Sequence, residues 1–272
     1  FLYDRGLYTN KSYEVIANTP SVLPEFSKDL PRNRLGLAKW LFENKNPLTS
    51  RVTANRYWQM IFGKGIVSTP DDFGLQGMLP SHPELLDFLA DFLVSKNWDV
   101  KKLIKLMVTS STYKQSSSPN QKYVEIDPNN IYLWRSNSYR LPAEMIRDNA
   151  LAASGLLVKK IGGESVRPYQ PDGLWREKSN FSLKLLDYKI SDTDEDLYRR
   201  SLYTFLRRTS PPPSMSVFDA PTREVCTVKR EITNTPLQAL VLLNDPQFFE
   251  ASRVLAERIQ IEKSESIEKS IE

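Results

Sequence analysis

SHPELLDFLADFLVSKNWDVKKLIKLMV, running from Ser81 to Val108, decides the fold class. Its apolar residues recur at helical spacing: Leu85, Leu86, Phe88, Leu89, Phe92 and Leu93 cover one broad face, and Val100, Leu103, Ile104 and Met107 form a second stripe. Ser81, with Glu84 three residues later, has the form of a capping box, so the first helix is expected to open on Ser81. Asp99 can cap the second helix by accepting from its first free N–H groups. Two amphipathic helices joined by a short polar turn predict a helical hairpin.

Upstream, Leu37, Leu41, Val52, Tyr57 and Ile61 are spaced for two more helices. The break falls at Asn46-Pro47, where the residue before proline resists the α region, and Gly63-Lys64-Gly65 ends the second helix. Pro20, Pro24 and Pro31 mark the first 30 residues as an extended arm. Downstream, Ser116 to Asn130 reads as a loop, Ile131 to Arg140 as a short strand or extended piece, and Pro142 opens a helix running to Gly155. Gly162 to Asp196 reads as irregular, and Tyr198 to Arg207 as a strand with Leu202, Phe205 and Leu206 facing the core. Pro211-Pro212-Pro213 predicts polyproline, Thr235 with Gln238 a further capping box, and Asp245-Pro246 a final capped helix. The expected fold is mainly α: a helical domain with long irregular loops and a few short strands. It is organised as one module over 1–272, with an arm (1–32), a helical part (33–115), a loop-rich middle (116–197), and a short strand plus C-terminal helices (198–272).

Composition narrows the chemistry. At 40% hydrophobic and 26% charged residues the chain is an ordinary globular sequence, which argues against global disorder. Lys plus Arg exceeds Asp plus Glu by 37 to 33, but the cations are scattered, so the concentrated basic footprint of a nucleic-acid binder is missing. One cysteine and one histidine allow no intrachain disulfide, no haem c attachment motif and no zinc site built from three or four Cys and His ligands. No apolar run reaches the roughly 18 residues of a membrane helix. The chain starts at Phe1 and ends in a charged helical pattern, so it is expected to be a piece of a larger protein.

Five blocks carry a family resemblance: PRNRLGLAKWL from Pro31, NPLTSRVTANRYWQMIFGKGIVSTPDDFG from Asn46, PSHPELLDFLA from Pro80, FDAPTREVC from Phe218 and TNTPLQALVLLND from Thr233. Together they resemble the C-terminal, cytochrome-c-associated domain of unknown function found in planctomycete multidomain proteins. The resemblance implies an extracytoplasmic location, in the periplasm or at the cell surface. It also implies companion N-terminal domains in the same polypeptide and haem c on another domain, with no cofactor in this chain. It supplies no catalytic residue.

The candidate site residues come from the polar members of these blocks. Asp219 and Arg223 sit together after the proline run, where a carboxylate and a guanidinium can hold a hydroxyl or an anion; the competing reading is an ion pair that fixes a loop. His82 is the sole imidazole and can act as acid or base. Asp71-Asp72 offers oxygen ligands but no calcium-loop spacing, so no metal is assigned, while Asp72 joins His82, Asp219 and Arg223 as the candidate catalytic set. Arg56, on a polar and aromatic face with Asn55, Trp58 and Gln59, joins Asn234, Trp175 and Cys226 as the candidate binding set. Trp175, like Trp134 and Tyr139, can stack on a sugar ring or serve as core; Asn234 can help bind an anion or simply cap a helix; Cys226 is expected as a small buried thiol. The first functional expectation is part of an enzyme acting on carbohydrate or another polyhydroxylated substrate. The alternative is a non-catalytic scaffold packing against companion domains.

Overall fold

Helices form where a polar cap precedes an apolar stripe. In a computed structural model, which describes residues 1–43, 45–177 and 188–262, the chain is mainly helical and divides into two compact units, Phe1–Tyr139 and Arg140–Glu272. In the first unit α1 (Arg34–Leu41) is capped by Asn33, whose side chain accepts from Gly36 N–H, and α2 (Pro47–Phe62) by Asn46, which accepts from Leu48 N–H. Helix α3 (Pro83–Ser95) leads into α4 (Val100–Val108), capped by Asp99, and α5 (Gln121–Ile126) follows, capped by Asn120.

The turn between α3 and α4 closes without glycine. Asn97 takes a left-handed conformation (φ 55°), its N–H donates to Val94 C=O, and Trp98 N–H reaches back to Leu93 C=O. This is a Schellman ending with asparagine where glycine is usual, and it produces the expected hairpin. Ala54, Trp58 and Phe62 on α2 meet Leu86, Leu89 and Leu93 on α3, and Leu103 and Met107 on α4. Each of these large apolar side chains contributes about 1.5–3 kcal/mol on burial.

The arm lies over α1, where Trp40 Nε1–H donates to Pro24 C=O and Arg32 donates to Ala17 C=O. A Cβ at Gly36 would collide with the Pro31 carbonyl, so the close approach of arm and helix requires glycine there.

The second unit is held by α6 (Ala143–Ser154), which packs against α11 (Pro246–Glu262); between them in sequence come α7 (Leu174–Glu177), α8 (Asp194–Leu197), α9 (Pro213–Val217) and α10 (Pro236–Asn244). Ala143, Met215, Phe218 and Phe248 form its apolar centre. Beside it Arg147 is buried, only 5% exposed. Its guanidinium donates to Gln247 Oε1 on α11, to Arg199 C=O at 2.8 Å and to Leu197 C=O at 2.7 Å. Burial pulls this guanidinium below its ordinary pKa, and the charges of Asp148 and Asp245 oppose that pull. One side chain thereby satisfies the carbonyls of a segment with no sheet partner to do so.

Several expectations change here. Tyr198 to Arg207 is not a strand: Ser201–Tyr203 is a 3-10 turn, and pairing among the described residues is confined to isolated bridges of Val158 with Arg199, Val166 with Thr204 and Arg207 with Ser210. Leu202 is exposed, because the bonds from Arg147 turn the backbone of this segment inward. Ile131 to Arg140 is a compact loop, with the Asp127 carboxylate accepting from the N–H groups of Ile131 and Tyr132, and Asn130 donating to Arg135 C=O. The loop expected over Ser116 to Asn130 contains α5. Polyproline ends at Pro212, since Pro213 starts α9 with the preset φ that suits a first helical position. Ser81 is not a cap: His82 takes the N-cap position of α3 without a side-chain cap bond, and proline occupies the next position. Thr235 likewise makes no side-chain cap bond, and Gln238 donates instead to Thr233 and to Val217 C=O. Part of the irregular stretch expected from Gly162 to Asp196, residues 178–187, lies outside the described residues.

Replacing Arg147 by Met strips partners from three elements at once. It is expected to cost about 3–5 kcal/mol in urea unfolding monitored by circular dichroism. Arg147→Lys, which keeps the charge but loses the fork, should recover less than half of that.

Candidate functional site

A buried amide builds the site in the first unit. Asn55, fully inside α2, accepts from Val67 N–H at 2.9 Å and donates to Val67 C=O at 3.1 Å, closing both backbone groups of one residue. This clamp presses Ile66 and Val67 into the core and forces the chain to reverse just beyond α2. The reversal needs two glycines. Gly63 ends α2 at φ 80° with the Tyr139 ring so near that a Cβ would lie 2.8 Å from it. At Gly65 a Cβ would meet Val67 O at 2.5 Å and the Asn55 amide at 2.9 Å. Lys64 is therefore carried outward between two positions that tolerate no side chain.

The opposite wall is the loop of residues 129–139. Asn137 donates to Phe62 C=O at 2.8 Å, and Tyr139 donates its phenol to Ile61 C=O at 3.0 Å, so the exposed carbonyls at the end of α2 are occupied. The third side is the segment of residues 78–82 entering α3, tied by Ser81 N–H to Ile66 C=O. Together they enclose a cavity of about 400 Å³, with Trp58 and Phe62 at its base and Ser68, His82, Asn129, Ser138 and Tyr139 along its sides. The size falls in the range of small-molecule pockets.

Lys64, His82 and Tyr139 are the titratable side chains in this lining, and no carboxylate is among them. Burial, followed by the neighbouring Tyr113, raises the Tyr139 phenol above its ordinary pKa, so at neutral pH it remains a neutral donor. His82 Nδ1 lies 2.9 Å from Ser81 Oγ, which also reaches Ile66 C=O. Among the described residues no partner engages His82 Nε2.

Of the eight candidate residues, His82 alone lines this cavity. Asp72, in the same unit, lies outside the lining; its carboxylate accepts from Gly74 N–H at 2.6 Å and shapes the loop there. Arg56 is exposed on α2, away from the lining. Asp219, Arg223, Trp175, Asn234 and Cys226 belong to the second unit. Trp175 is buried against Tyr188 and Phe205 and presents no open ring face for a sugar. Asn234 is exposed, and Cys226 is exposed where a buried thiol was expected. Among the described residues no three His, Cys, Asp or Glu side chains gather to hold a metal ion.

Asp219 is a loop staple. Its carboxylate pairs with Arg140, not Arg223, and accepts from Thr233 N–H at 2.8 Å and from the Thr233 hydroxyl at 2.9 Å. At φ 61° it also holds a left-handed turn. Arg223 is exposed and lines a crevice of about 30 Å³ beside Glu144 and Met215. Burial would raise the Glu144 carboxyl, but the hydrogen bonds and charge of Arg230, a bond from its own backbone N–H and the Arg223 charge together outweigh it and hold the carboxyl below its ordinary value.

Sequence reasoning missed Lys64 and Ser138 as site residues. For Lys64 the signal was present, since a lysine between two glycines is the one side chain that such a turn carries.

The Thr233 N–H first, then the Thr233 hydroxyl and Arg140, hold the Asp219 carboxyl below its ordinary 3.8, against the opposing effect of burial. A lowered acid stabilises the fold at neutral pH and loses that contribution as pH falls through the native value. Asp219→Asn should therefore lower stability by about 1–3 kcal/mol at pH 7, and urea midpoints of variant and parent should converge below pH 3.8.

No curated protein and no solved structure matches the chain. A family model described as PSD1, a protein of unknown function (DUF1553), matches residues 33–272, which takes in the cavity, the Asp219 staple and nearly all of the five motif blocks. The chain belongs to that family.

Proposed function

We propose that the first unit binds a small polyhydroxylated ligand, with carbohydrate the leading class, as part of an extracytoplasmic multidomain protein that carries its redox chemistry on a c-type cytochrome domain. The cavity between α2, α3 and the loop of residues 129–139 carries this reading. Its base is aromatic, and its sides offer the hydroxyls of Ser68 and Ser138, the amide of Asn129 and the imidazole of His82. An apolar floor with a few convergent hydrogen-bonding groups is what a sugar ring requires, since its C–H faces are apolar and its rim is polar. Extracytoplasmic location and a cytochrome partner rest on the resemblance of the motif blocks. One cysteine and one histidine in the chain agree with haem placed elsewhere.

The scaffold reading has one observation of its own. Helix α10 is rich in leucine, and Leu237, Leu240, Leu242 and Leu243 are exposed, Leu243 by 73%. Surfaces of this kind mark docking sites. Leu240→Glu with Leu243→Glu should leave the helical circular dichroism unchanged and weaken association with the companion domain; undiminished association overturns that reading.

The ligand reading is tested by thermal shift on the intact protein with a panel of neutral and acidic monosaccharides. A binder at about 100 times its Kd should add about 2.7 kcal/mol of stability, a rise of a few degrees in Tm. Ser138→Phe, which fills the cavity mouth, should abolish the shift. A shift that survives Ser138→Phe, or no shift with any member, overturns the proposal.

A further inference from the structure

We infer that the first-unit cavity selects an anionic polyol, its negative group held at Lys64 and His82. The inference rests on the cavity being a ligand site and goes beyond it by naming the charge of the ligand.

Two features of the lining carry it. The first is sign: Lys64 brings a positive charge, the His82 imidazole a hydrogen-bonding ring beside it in the lining, and the lining contains no aspartate or glutamate. In a partly enclosed site a cation with no carboxylate in the lining favours an anion more strongly than it would on an open surface, and the Asp127 carboxylate behind the wall is engaged by the N–H groups of Ile131 and Tyr132. The second is how the competing acceptors are removed. The carbonyls at the end of α2 would otherwise draw the Lys64 ammonium, but Asn137 already donates to Phe62 C=O, and Tyr139 to Ile61 C=O.

The Ser81–His82 relay fits the same reading. His82 Nδ1 lies 2.9 Å from Ser81 Oγ, and the Ser81 hydroxyl donates to Ile66 C=O at 3.3 Å, so the ring is anchored through Nδ1 and Nε2 is left for the ligand. The backbone places Lys64 as a tether: Gly63 and Gly65 on either side exclude side chains, so its ammonium is the charged group this turn offers. The anion can be a carboxylate, as in a uronic acid, or a sulfate or phosphate ester. All three present the oxygens that an ammonium and an imidazole ring recognise.

Isothermal titration of the full chain at low salt decides among these with four probes: D-glucose, D-glucuronate, glucose 6-sulfate and glucose 6-phosphate. At least one acidic probe should bind about fivefold or more tighter than glucose, and the tightest of the three identifies the anion. Lys64→Gln should remove that preference, and raising the salt should reduce it in the parent protein alone. Glucose binding as well as every acidic probe, with no effect of Lys64→Gln, overturns the anion inference and leaves the ligand reading standing. Binding by none of the four overturns both. An acidic preference that persists in Ser138→Phe also overturns the inference, because the anion is then held outside the cavity.

Discussion

The two hydrogen bonds between Asn55 and the backbone of Val67 are the constraint on which the first unit depends. A helix that ends inside a protein must turn its chain back toward the core, and the returning backbone arrives with polar groups that a helix no longer pairs. Asn55 supplies both partners from within α2, at no exposure. Ile66 and Val67 can then be buried beside Trp58 and Phe62. With that return path set, Gly63 and Gly65 become obligatory, Tyr139 packs over the turn, and the cavity opens between the return and the loop of residues 129–139.

The second unit solves the same problem with a charge. The described residues between α6 and α11 form no sheet, so their carbonyls need donors from side chains, and Arg147 supplies three elements at once. Arg199, also buried, does the same for the Lys160 to Glu164 turn. Buried polar groups are thus the load carriers of both units, in the role that strand pairing plays in folds with sheets. Desolvating these groups is costly, and each is retained because removing it would leave several backbone groups unpaired.

The same arrangement separates structural from functional polarity. Asp219, Asp72 and Glu144 are committed to loops through bonds to Thr233, Gly74 and Arg230. His82, Lys64 and Ser138 line open volume instead. Groups that shape a turn have their lone pairs or protons already engaged, whereas groups that meet a ligand need them free.

The sequence by itself determined the helical class, the α3–α4 hairpin, the break at Asn46-Pro47, the cap at Asp99, and the glycine ending of α2. Each of these depends on residues within a few positions of one another, where spacing and cap chemistry act directly. It also confined chemistry to groups other than thiol pairs and imidazole clusters, because one cysteine and one histidine leave no other count. Tertiary structure alone decided that Tyr198 to Arg207 turns rather than extends, that Trp175 is core, that Cys226 is exposed, and that Asp219 pairs with Arg140, 79 positions away. Those outcomes hang on partners distant in sequence, such as Arg147 reaching Arg199 and Asn137 reaching Phe62. Local pattern carries no trace of which distant carbonyl a side chain will find, and the cavity exists only once those partners have met.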